Sequence, residues 1–191
     1  MLGNQERHHL NQQQAYAYAR AHDVPLVRWK IPLTEKYVER LTPEQLAQTY
    51  VNEPGLWHYF VRGAPAMILR NFKPTKAMAN SSMAFLHSFS FAHDVPPELS
   101  AAELPGSYHV VELAEPPHSI NVCPDLPDDD DGAGIESLTP DGIVVPIAAS
   151  KDPIDFETTS LYATMAQIPK TLQHRCYPLV LAFALTDFKV Q

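Results

Sequence analysis

The polar residues with the clearest chemical arrangement stand at the end of an apolar run. Pro178-Leu179-Val180-Leu181-Ala182-Phe183-Ala184-Leu185 leads into Thr186-Asp187-Phe188-Lys189-Val190-Gln191. A continuous apolar run opened by proline reads as a strand buried on both faces. Its polar residues then fall at the C-terminal end, where open α/β sheets bind their ligands. Because a core strand makes a poor terminus, the sequence is expected to continue beyond Gln191.

Other residues could suggest chemistry, and each has a plainer reading. His8 and His9 are adjacent, so on a helix they diverge and do not share one ion. The run from Asp128 to Asp131 lacks the glycine and distal glutamate of a calcium loop. Both read as a solvated face and loop, and no metal site is expected. Cys123 and Cys176 have no C-x-x-C partner and read as ordinary thiols. Trp29, Trp57 and Tyr59 can stack on bases, but aromatics beside strands belong more often to the core. No G-x-x-x-x-G-K-[ST] loop is present to cradle nucleotide phosphates, and no catalytic residue is assigned.

The elements that must position these residues belong to a chain of 191 residues, 45% hydrophobic and long enough for a real core. Eighteen prolines against seven glycines indicate many breaks and few long helices. No apolar segment is long enough to span a membrane, and the polar N-terminus is not a signal peptide. Two distant cysteines suit reduced thiols in an intracellular protein. The net charge of −8 is unevenly spread. Residues 94–157 hold one basic residue against fifteen acids, −14, and the remainder hold thirteen basic against seven acidic, +6. Such a split allows a basic face beside an acidic lobe.

Read in order, the chain predicts a helix over about 5–22, with Leu10, Ala17, Tyr18 and Ala21 near helical spacing, stopped before Pro25. Leu26 to Trp29 reads as a short strand. Thr42-Pro43-Glu44-Gln45 is a helix start with a capping box, running to about Val51. Strands are expected at Met83 to Phe91, Tyr108 to Leu113, Ser119 to Val122 and Gly142 to Ala148, most of them bounded by Pro, Gly or Asp. Several short strands with turn-rich gaps suit a small barrel. Pro127 to Gly134 reads as an exposed loop. A helix over Phe156 to Ile168 would place Leu161, Met165 and Ile168 on one face.

Three segments carry a family resemblance. The end of the chain, A-F-A-L-T-x-x-K-x-Q after Arg175-Cys176-Tyr177-Pro178-Leu179, resembles motif V of superfamily-one DNA helicases of the 5′→3′ branch, above all the PIF type of eukaryotic mobile elements. Asn4, Arg7, Leu10 and Asn11, followed by alanines and a strand ending Arg28-Trp29, resemble the motif IV region. Between them, Gly63-Ala64-Pro65-Ala66-Met67-Ile68-Leu69-Arg70-Asn71 and then Asn80-Ser81-Ser82 resemble the segment that opens an inserted barrel. Asp187 and Phe188 depart from the family pattern, and Ser81 stands where glycine is expected; a turn needing positive φ would be strained by serine.

The resemblance implies an α/β fold: a partial RecA-like helicase domain with an inserted small SH3-like β-barrel. It divides the chain into 1–61, the motif IV part of motor domain 2; 62–176, the insert with its acidic loop; and 177–191, the return strand. It places Thr186 and Lys189 on DNA, with Lys73 and Lys76 as further nucleic-acid contacts, and turns Gln191 and Asn4 toward the nucleotide cleft. Gly3 precedes Asn4, so no arginine finger is assigned. The family is an ATP-dependent helicase using Mg²⁺, acting in DNA repair, recombination and telomere maintenance. By that likeness this chain is part of the motor, open at both ends, nuclear, unable to bind ATP and Mg²⁺ alone. Its expected partners are single-stranded DNA and a first motor domain. The rival expectation is a non-catalytic nucleic-acid-binding protein or a decayed mobile-element remnant.

Overall fold

A computed structural model describes residues 4–72, 78–92, 99–102, 109–126, 135, 137–138, 142–158 and 160–183. The first element is helix α1, Asn4–Ala21. It stops where the sequence says it should: Asp23 takes φ 50, Val24 N–H donates back to Ala19 O, and Pro25 follows. Its buried face is not the expected one. Ala17 and Ala21 are exposed, while Asn11, Ala15 and Ala19 face inward at a spacing of four. Small side chains let the helix lie close against the sheet, and Gln12 Nε2 donates to the Tyr59 hydroxyl at 2.8 Å.

Strand β1 (Leu26–Lys30) is followed by a short helix α2 (Glu35–Val38) and by α3 (Pro43–Asn52). Helix α3 starts as its sequence requires. The Thr42 hydroxyl accepts from Gln45 N–H at 3.2 Å, and Gln45 Oε1 accepts from Thr42 N–H at 3.0 Å, with Pro43 at the first turn. A single 3-10 turn, Pro54–Leu56, leads into β2 (Trp57–Val61). The remaining strands are β3 (Pro65–Ile68), β4 (Met83–Ser90), β5 (Leu99–Ala102), β6 (Val110–Leu113), β7 (Ser119–Pro124), β8 (Val145–Ala148), β9 (Ile154–Glu157), β10 (Thr171–His174) and β11 (Leu179–Leu181), with α4 (Leu161–Met165) between β9 and β10.

These strands form three sheets in a mixed α/β arrangement. One has the order β2-β1-β6-β5, with β1 parallel to β6 (Leu26 opposite Val110, Trp29 opposite Leu113) and its other pairs antiparallel. The second, β11-β3-β4-β7-β8, is antiparallel throughout and, among the described residues, does not close into a barrel. The third is the pair β9–β10.

Two expectations are corrected. The apolar run after Pro178 is not a strand buried on both faces. Its described part pairs antiparallel with β3, at the edge of its sheet among the described residues, with Val180 and Leu181 half-buried. The segment from Phe156 to Ile168 is not one helix. Phe156 sits in β9 opposite Leu172, and α4 has five residues. Leu161 and Met165 are exposed, whereas Ala163 and Ile168 are buried. The described strands of residues 94–157 pair with β1, β4 and β10, so this part of the chain contributes to all three sheets.

Two apolar clusters hold this arrangement. The larger joins Ala15 and Ala19 of α1 to Leu26, Trp29, Val61, Ile68, Leu86, Val110, Val122, Ile147 and Tyr177. The smaller packs Leu33, Tyr37, Tyr50 and Leu56 against Ala163, Ile168 and Leu172.

Candidate functional site

The three segments of the family resemblance converge. Leu179, Val180 and Leu181 pair with Ile68, Met67 and Ala66, and Leu69 N–H donates to Pro178 O at 2.8 Å. Ala182 N–H donates to Pro65 O at 3.0 Å. From α1, the Tyr18 hydroxyl donates to Gly63 O at 2.9 Å, and the Tyr18 ring lies 5.5 Å from that of Phe183. Gly63 takes φ 80, a conformation that suits glycine, and its N–H donates to Leu86 O at 2.7 Å.

Of the residues nominated from sequence, Asn4 is the first residue of α1. Thr186, Lys189, Gln191, Lys73 and Lys76 lie outside the described residues, as does the loop 127–134. On either side of residues 73–77, Phe72 N–H donates to Met78 O at 2.9 Å, and Asn71 Oδ1 accepts from Asn80 N–H at 2.8 Å. Ser81 adopts φ 72, the positive value at which serine is strained. Trp29 and Tyr59 are buried in the core; Trp57 is half-buried, with Arg28 4.7 Å and Lys30 5.5 Å from its ring centre.

Behind the junction is a cavity of about 470 Å³, lined among others by His8, Glu53, His58, His174, Cys176 and Tyr177. The imidazoles are kept neutral. Burial, followed by repulsion from His174 and His8, lowers the pKa of His58 to about 3. Burial and then His8 lower that of His174 to about 4. His8 is lowered by burial and then Arg7, partly opposed by Glu53. The Cys176 thiol is pushed up to about 11 by burial, so it is not a thiolate nucleophile at neutral pH. Glu53, 1% exposed, accepts from Ser160 N–H at 2.9 Å and so ties α3 to the start of α4. Among the described residues, no three His, Cys, Asp or Glu side chains converge as metal ligands.

Sequence reasoning did not find this histidine cluster. Its members come from α1, β2 and β10, and no spacing along the chain relates them. The one local hint was a histidine inside the apolar strand Trp57-His58-Tyr59-Phe60-Val61.

No family model and no curated protein matches the chain. Among solved structures it is similar to the crystal structure of a Pif1 helicase from Candida albicans, at 13% identity and a TM-score of 0.38, over 93% of this chain and 33% of that one. The chain thus spans about a third of the length of that helicase. A likeness this distant carries no argument; function is argued from the residues and their geometry.

Proposed function

We propose that the chain is part of the second motor domain of a PIF-type DNA helicase, where it forms a wall for single-stranded DNA and one face of an ATP cleft. The observation that carries this reading is the meeting of the three resembling segments through Tyr18, Gly63 and the β3–β11 pair. Segments far apart in sequence that share a family order, and then share one junction, are expected of one ancestral unit. In this reading 1–61 and 177–191 belong to the RecA-like domain. Residues 62–176, with most of the antiparallel five-stranded sheet, are the SH3-like insert.

ATP and Mg²⁺ are held by a first motor domain that carries the phosphate loop, and motion arises when nucleotide binding closes the two domains on DNA. Asn4 and Gln191 face that cleft; Thr186 and Lys189 hold the DNA backbone, helped by Lys73 and Lys76. The protein works in the nucleus. Alone, this chain does not turn over ATP.

The test is a fluorescence anisotropy titration of a labelled single-stranded oligonucleotide at two salt concentrations. Affinity is expected on the order of 10⁻⁴–10⁻⁶ M, and Lys189→Ala should weaken it evenly across sequences and lower the salt slope by about 0.7. No binding at low salt rejects the DNA wall. Binding indifferent to Lys189→Ala moves it away from the chain end, to Lys73 and Lys76.

One observation favours the second reading, a decayed remnant that binds nucleic acid without catalysis. Ser81 occupies a positive-φ turn where the family places glycine, a strain that relaxed selection would leave uncorrected. The flanking coding sequence separates the two. A phosphate loop in frame upstream supports the motor, and stop codons on both sides support the remnant.

A further inference from the structure

A second cavity, of about 650 Å³, lies on the other side of His58 and Tyr177, which line both. Three buried side-chain polar atoms lack a partner among the described residues, and two of them, Trp29 Nε1 and Thr34 Oγ1, belong to residues lining this cavity. Folded proteins leave few such atoms unsatisfied, because each forfeits its hydration without return. Thr34 stands at the N-cap of α2 but its side chain makes no capping bond, whereas the cap hydroxyls of Thr42 and Ser160 both accept theirs. The Trp29 indole is held in place by the His58 ring stacked on it and by the edge contact with Tyr177.

What surrounds these groups defines the ligand. Two exposed cations, Lys36 and Arg175, line the cavity against one acid, Glu35. Four prolines supply a flat apolar wall. The indole N–H can only donate, and so can both cations, which selects for acceptor oxygens. A cavity of this size is ample for a small organic molecule. We propose that it binds a small organic anion, a flat apolar body carrying a phosphate or carboxylate. The anion's oxygens take the Thr34 hydroxyl, the Trp29 N–H and the charges of Arg175 and Lys36, while the body lies on the proline wall. This does not depend on the DNA reading; a chain that ignores oligonucleotides can still bind such an anion.

The experiment follows the two indole N–H signals by heteronuclear NMR, assigned with Trp57→Phe, during titration with phenyl phosphate, benzoate, phenol and inorganic phosphate. The Trp29 signal should move with phenyl phosphate or benzoate, and which of the two binds more tightly identifies the head group. The Trp57 signal should stay, because its N–H is already donated to Tyr50 O at 2.7 Å. Arg175→Ala, at an exposed position, should weaken binding about tenfold, the scale of one charge-assisted hydrogen bond. Thr34→Val should also weaken it. The proposal is overturned if neither organic anion moves the Trp29 signal at millimolar concentration. It is equally overturned if inorganic phosphate or phenol binds as well as the anion that joins their features, or if Arg175→Ala and Thr34→Val, both folded by their spectra, bind like the parent.

Discussion

The imidazole of His58 lies stacked on the indole of Trp29, ring centres 5.4 Å apart and planes 20° from parallel. The Tyr177 ring meets both edge-on, at 5.2 Å from His58 and 6.0 Å from Trp29. A protonated ring at this position would lose its water to these two aromatic neighbours, which is why His58 stays neutral.

Stability should therefore fall in mild acid. The unfolded chain binds a proton at each histidine near 6.5, while folding depresses His58 to about 3 and His174 to about 4. The contribution is complete above 6.5 and is lost as pH drops below it, at a slope of up to about 1.4 kcal/mol per pH unit for each histidine. Urea unfolding at neutral and mildly acidic pH reads this directly. The variant His58→Gln should shed about one proton from the slope, and a midpoint that does not move with pH would contradict the burial of these rings.

Gly55 admits no side chain. A Cβ there would lie 2.7 Å from Phe156 Cε2 and 2.9 Å from His8 Cδ2, both ring atoms packed beside the first cavity. Gly55→Ala should cost about 1–3 kcal/mol by overpacking. Adding Phe156→Leu should return part of that loss, and a simple sum of the two single effects in a double-mutant cycle would show that the rings do not meet over Gly55.

At Ser81 the direction reverses. With φ 72 and its N–H donating to Ile68 O at 2.7 Å, the residue is held in the left-handed region by the β3–β4 connection. Ser81→Gly should stabilise by about 1 kcal/mol, and Ser81→Val should destabilise by more, since a branched side chain tolerates this conformation least. Chemical denaturation of the three proteins tests the order Gly, Ser, Val.

Asn121 organises a polar patch inside the five-stranded sheet. Its Nδ2 donates to Ser88 Oγ and Ser90 Oγ, each at 3.0 Å, and its Oδ1 accepts from Ser119 Oγ at 3.0 Å. Asn121→Ala leaves three hydroxyls short of a partner and should cost about 1–3 kcal/mol. Replacing Ser88, Ser90 and Ser119 by alanine in the same chain should make the loss of Asn121 much cheaper; an unchanged cost would dissolve the network.

Local chemistry was legible in the sequence, and long-range pairing was not. Thr42 and Gln45 marked the start of α3 because a capping box is complete within four residues. Pro25 bounded α1, and the strands beginning at Met83, Val110 and Ser119 announced themselves by apolar runs between breakers. The spacing of Leu161, Met165 and Ile168 misled, because a helical pattern in sequence says nothing about whether a sheet partner waits nearby. Thr171 to His174 supplies that partner for Ile154 to Glu157. In α1 the larger residues at helical spacing drew the eye, yet the buried face consists of Asn11, Ala15 and Ala19, where bulk would hold the helix off the sheet. Of the candidate site, the order of the resembling segments was legible, but their meeting through Tyr18, Gly63 and the β3–β11 pair was not. The histidine cluster was not, since α1, β2 and β10 meet only in three dimensions.

The parallel ladder between β1 and β6 also bears on how the chain is made. Leu26 must wait for Val110 before the four-stranded sheet can gain its third strand, and a ribosome adds on the order of 5–20 residues each second. For several seconds a nascent chain would therefore carry the β1–β2 pair with one edge of β1 open, an invitation to pair with a neighbour. Closing so distant a pairing is slow by its loop entropy alone. During synthesis, holdase chaperones would be recruited by this apolar edge, and their grip should loosen once Leu113 has cleared the exit tunnel.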